Sequence, residues 1–119
     1  MKSREHWEKV KESLSGDPYP VYSLAMVSLR EGKAEEAEAY ALKALSLDGK
    51  SAYAHDVLGL AYANQGRIVP AFQSLGQAVQ LAPGEEFIRK HYLQVRALYI
   101  ERARLEYIQK KEKSNEKTG

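Results

Sequence analysis

Three histidines, a run of carboxylates and a late cluster of bases are the residues of this chain that could do chemistry. His6, His55 and His91 stand too far apart in sequence to share the short spacings of a metal site, with one another or with carboxylates. There is no cysteine, so thiolate ligands, disulfides and thiol redox chemistry are excluded. No hydroxyl is placed beside a plausible base as a nucleophile would need. Glu35, Glu36 and Glu38 crowd one exposed helix face and not a cleft, which argues against a glycosidase-like carboxylate pair. The glycines have no phosphate-loop spacing. Arg89, Lys90, Arg96, Arg102, Arg104, Lys110 and Lys111 interleave with Tyr99 and Tyr107, a pattern that could bind nucleic acid. Glu101, Glu106 and Glu112 dilute it, and a net charge of +2 is small, so a solvated helix face with i,i+4 pairs is the reading preferred over nucleic acid. No enzyme, metal or cofactor is expected.

The elements that must position any site are helices. At 119 residues, 44% hydrophobic and 29% charged, the chain fits one domain of about six of them. No apolar run reaches the ~20 residues of a membrane span. Residues 1–14 lack the apolar core of a secretory signal, so no leader is expected and the cytoplasm is the default. Residues 3–15 read as a short amphipathic helix with His6 or Trp7, Val10 and Leu14 on one stripe. Pro18 and Pro20 then hold an extended connection, and a helix runs from about Tyr19 or Val21 to Glu31, where Gly32 ends it. Ala34 to Leu47 is the clearest helix by propensity, with Ala37, Ala41, Ala44 and Leu45 or Leu47 inward. Residues 52–85 lay two apolar helical faces on either side of Gly66, a hairpin too short to bury itself without neighbours. From Phe87 to about Lys111 nothing interrupts a last helix of some 25 residues, roughly 37 Å long. The polar stretch 112–119 is expected to fray or be disordered.

Sliding the chain by 34 residues pairs Tyr19 with Tyr53, Leu24 with Leu58, Gly32 with Gly66, Ala37 with Ala71, Ala44 with Ala78 and Leu47 with Leu81. Such a period in helical hairpins points to a stacked solenoid. In residues 52–85, Leu58, Gly59, Tyr62, Ala71, Ala78 and Pro83 follow the pattern of the tetratricopeptide repeat, with His55 for its tryptophan and Leu75 for its second aromatic. The chain therefore resembles the tetratricopeptide repeat family. Residues 18–51 match less fully, with Ser28 in the tyrosine's place and Gly49 in the proline's.

The resemblance implies an all-α, right-handed superhelical stack of antiparallel helical hairpins: a flanking helix at 3–15, repeats at 18–51 and 52–85, and a long capping helix at 86–111. It implies protein–protein recognition on the concave face lined by the first helices. The positions so implied are Tyr19, Tyr22, Met26, Leu29 and Arg30, then Tyr53, Asp56, Leu60 and Asn64, then Phe87, Lys90, His91 and Gln94. Family members that hold a C-terminal carboxylate use lysine, asparagine and arginine where this chain has Tyr22, Met26, Val57, Phe87 and His91, so no carboxylate clamp is expected. The groove would offer apolar and aromatic anchors to a protein or peptide segment. Tyr19, Tyr53 and Phe87 could equally plug gaps between hairpins. The last helix carries more than one apolar stripe, and Leu93, Ile100, Tyr107 and Ile108 could pair with a second copy in a homodimer or dock on a larger protein.

Overall fold

The structure is a computed structural model. It describes residues 3–13 and 16–118, and the side chains of these except 10–13, 117 and 118; of the expected N-terminal stripe, the Val10 side chain and Leu14 lie outside the described residues. Six helices follow one another: α1 Arg4–Ser13, α2 Pro18–Arg30, α3 Ala34–Leu47, α4 Ala52–Asn64, α5 Ile68–Leu81 and α6 Glu86–Thr118. No strand occurs among the described residues.

Local chemistry sets the boundaries. Asp17 caps α2 by accepting from the Tyr19 amide at 2.9 Å, and Pro18 takes the first helical position, where its missing N–H costs nothing. Pro18 thus opens α2 and does not belong to the extended connection expected from sequence. Ser51 caps α4 through the Ala54 amide at 3.2 Å. Gly32 and Gly66 end the first helix of each hairpin with φ of 77°, a left-handed conformation in which any other residue would be strained.

The core runs along the stack and is built largely from small residues. Ala25, Ala37, Ala41, Ala44, Ala54, Ala61, Ala71 and Ala78 are all fully buried, and Leu24, Val57, Leu75 and Ile88 fill the spaces between them. Leu24 and Leu58 occupy equivalent buried places in the two hairpins. At Gly59, α4 and α5 approach closely. A Cβ there would stand 2.6 Å from Leu75 Cγ and 3.1 Å from the Ala71 carbonyl oxygen.

Where the second hairpin has Tyr62 under the guanidinium of Arg67, 4.5 Å from the ring centroid, the first has Ser28, fully buried. Arg4 of α1 reaches this site. Its guanidinium donates to Ser28 Oγ at 3.3 Å, to Glu36 Oε2 at 2.8 Å and to Glu31. The Glu31 bond holds Arg4 protonated, and Arg4 in turn lowers the pKa of Glu31. The cluster straps α1 to the α2–α3 turn. Arg4→Ala is expected to loosen α1, with a loss of about 1 kcal/mol in denaturant unfolding and faster proteolysis within α1.

α6 is 33 residues long, about 50 Å. It continues through the 112–118 stretch expected to fray, because glutamate and lysine are good helix formers and no glycine or proline interrupts before Gly119. Ile88 and Val95 anchor it in the core, and Phe72 of α5 stacks on Tyr92 and Tyr99 with centroids 5.3 and 4.8 Å apart. From Arg96 to Glu116 every side chain is exposed.

Candidate partner-binding groove

Successive first helices bring their rings into one row. Tyr19, Tyr53 and Phe87 occupy the same register position in α2, α4 and α6. Tyr22 stands between the first two, 6.2 Å from Tyr19 and 5.7 Å from Tyr53 by ring centroids. Tyr53 lies parallel to Phe87 at 5.9 Å, and Trp7 of α1 closes the other end, edge-on to Tyr19 at 5.3 Å. The row is not core: Tyr19 is 55% exposed, Tyr53 41% and Phe87 39%. Trp7 and Tyr22 are half-buried. Tyr22 packs against Val21, Ala25 and their neighbours, and burial close to Asp56 pushes its hydroxyl up to about 12.

Two small clefts open along the row. One of about 180 Å³ is walled by Trp7, Tyr19, Tyr22 and Met26, with Arg30 at its rim. The other, about 160 Å³, lies between Tyr19, Tyr22 and Tyr53 over Pro18.

Beneath the far end of the row, Asp56 is 1% exposed and accepts a 2.9 Å hydrogen bond from Nδ1 of His91. Burial raises the Asp56 pKa, and the bond to His91 opposes the rise. His91 in turn stands edge-on to Phe87 at 6.0 Å. The Tyr53 hydroxyl donates to Glu85 at 3.2 Å, and the charge of Glu85 raises the Tyr53 pKa. Among the described residues no three histidine, aspartate or glutamate side chains gather at a metal-sized site, and no helix is long and apolar enough to cross a membrane.

A profile of the tetratricopeptide repeat matches residues 21–51. Solved structures of tetratricopeptide domains superpose on the chain. The second such domain of human RPAP3, in complex with an HSP70 peptide, does so with a TM-score of 0.70 at 24% identity, over 78% of each chain. The first such domain of Spaghetti, bound to an HSP90 peptide, gives 0.76 at 15% identity over 82% of this chain and 79% of that one. The Sgt2 domain of Aspergillus fumigatus gives 0.79 at 16% identity over 85% and 68%. The chain has the tetratricopeptide-repeat fold. At these identities the likeness is one of fold, and no curated protein sequence matches the chain.

Within the tetratricopeptide fold, the profile falls on the hairpin whose motif residues are the less complete. Of the positions expected in the groove, the structure gathers Tyr19, Tyr22, Met26, Arg30, Tyr53, Phe87 and His91 along the row. Asp56 is buried beneath it, bonded to His91 and close enough to Tyr22 for its charge to raise that hydroxyl's pKa. Leu60 is half-buried, and Lys90 and Gln94 are exposed on α6. Asn64 lies elsewhere, in a shallow depression against the Gly32–Glu36 turn. His55, expected between hairpins, is half-buried and donates from Nε2 to the Gly49 carbonyl at 3.0 Å. Trp7 was not among the expected groove residues. The signal for it was present: an apolar α1 stripe led by tryptophan must pack near the N-terminus of α2, where Tyr19 sits.

Proposed function

We propose that this chain is a protein-recognition module that holds a segment of a partner along the aromatic row of its first helices. The observation that carries the reading is the unbroken file of rings from Trp7 to Phe87, most of them on the surface, where a core would have covered them. Large, stiff aromatic side chains give up little entropy on binding and are the usual energetic anchors of interfaces. The peptides held by the RPAP3 and Spaghetti domains support it, being occupants of the same fold. The anchors here are apolar and aromatic, so the occupant contributes apolar side chains. No catalysis is assigned.

Peptides selected from a displayed library against the intact chain provide the test. Tyr19→Ala with Tyr53→Ala removes two exposed rings and spares the half-buried Tyr22, so the fold should persist, as helical circular dichroism will verify. The double variant is expected to bind selected peptides at least tenfold more weakly by calorimetry, and unchanged affinity in a folded variant would remove the reading.

A second reading rests on α6. Leu93, Ile100, Tyr107 and Ile108 are 55%, 52%, 63% and 37% exposed. They fall within an arc of about 100° opposite the face that meets α5. We propose that this stripe pairs with a second copy. Sedimentation at micromolar concentration is expected to show a dimer that Ile100→Glu dissociates, and a strict monomer would dismiss it.

A further inference from the structure

The two clefts on the row specify the occupant more closely than the row alone. Both use Tyr19 and Tyr22 as walls, so those rings form a partition between two slots of similar size, about 180 and 160 Å³. An α-helical ligand, about 10 Å across, needs a continuous trough to lay its apolar face in. The partition interrupts any such trough, and slots of this size admit side chains one at a time. An extended strand is disfavoured for another reason: among the described residues there is no sheet edge to pair with its backbone. A polyproline II segment needs neither feature. It makes no internal backbone hydrogen bonds, it is already extended before binding, and its compact rings stack against tyrosine and tryptophan faces.

The charge pattern adds a second constraint. Arg30 lies at the rim of the larger slot, among Trp7, Tyr22, Met26 and other residues none of which is acidic, and its side chain is exposed. We propose that the two slots receive successive prolines of a polyproline II segment of a partner protein, with Arg30 pairing an acidic residue beside it. This rests on the groove reading above and narrows it to one class of ligand.

The chain's only tryptophan, Trp7, lines the larger slot, so its fluorescence reports occupancy. Three acetylated peptides serve as probes: a short proline-rich peptide with a glutamate at each end, the same peptide with alanine for every proline, and the proline peptide with lysine for both glutamates. The intact chain is expected to give a saturable change in Trp7 emission with the first, and at least fivefold weaker binding of the second and third. Arg30→Glu is expected to reverse the preference between the glutamate and lysine peptides, an exchange that general damage to the fold would not produce. Equal binding of the proline and alanine peptides, or no response to the proline peptide up to millimolar concentration, overturns the proposal. In that case, library peptides that still bind, and that lose affinity in the Tyr19→Ala, Tyr53→Ala variant, would leave the groove reading standing. If no library peptide binds either, both fall.

Discussion

Leu75→Ala is expected to lower the unfolding free energy by about 2–5 kcal/mol in urea denaturation, among the largest losses any single side chain of this stack can give. Leu75 is fully buried and shares a cluster with Ala71 of α5 and Val95 of α6. Its Cγ is also the atom that the absent Cβ of Gly59 would meet at 2.6 Å. It therefore joins three helices at once, and the space it leaves cannot close without moving one of them. Gly59→Ala tests the same contact from the other side. The added methyl overpacks by about 1–3 kcal/mol, offset by ~1 kcal/mol of improved helix propensity. Combining the two places the new methyl in the vacated volume, so the double variant should lose less than the sum of the singles. Strict additivity would mean that the close approach of α4 and α5 does not depend on this pair.

How much of this was legible in the sequence differs by element, and for physical reasons. The period of 34 located both hairpins because small and apolar residues must recur wherever helices touch: Leu24 and Leu58, Ala37 and Ala71, Ala44 and Ala78 are all buried. The same period paired Leu47 with Leu81, yet both are about 40% exposed, so identity at the repeat spacing does not by itself mean core. Tyr19 and Tyr53 follow that pattern, and their exposure gives the groove its rings. What escaped depends on residues that have no repeat counterpart. Trp7 and Arg4 lie on α1, outside either unit, and Ser28 in place of a tyrosine signalled a vacancy without naming Arg4 as what reaches it. The burial of Asp56 was hidden too, because α6, crossing beside α4, is what supplies His91. At the end of α6 composition misleads: a polar stretch predicts fraying, whereas its lysines and glutamates extend the helix to residue 118.

His91→Ala should destabilise the fold in a way that depends on pH. Asp56 is almost entirely buried, and the imidazole of His91 is its hydrogen-bond partner at 2.9 Å. Burial already raises the Asp56 pKa, and His91 works against that rise. Removing the imidazole leaves burial unopposed, so the pKa climbs further above its unfolded value. A carboxyl that holds its proton more tightly when folded weakens the fold as pH rises through its folded pKa, and its penalty disappears as pH falls into the ordinary carboxylate range. The variant is thus expected to lose about 1–3 kcal/mol near neutral pH and to recover much of that loss on acidification. Other carboxylates, Glu31 among them, titrate in the opposite sense, so the quantity to follow is the difference between variant and wild type at each pH. Asp56→Asn with His91→Ala, measured against Asp56→Asn alone, has no buried carboxyl on either side of the comparison, so the recovery on acidification should be lost. Because His91 also stands edge-on to Phe87, the single variant loosens the far end of the aromatic row. A defect of the same size at every pH would assign His91 to that ring contact alone, and the buried carboxylate would then carry no proton-linked part of the stability.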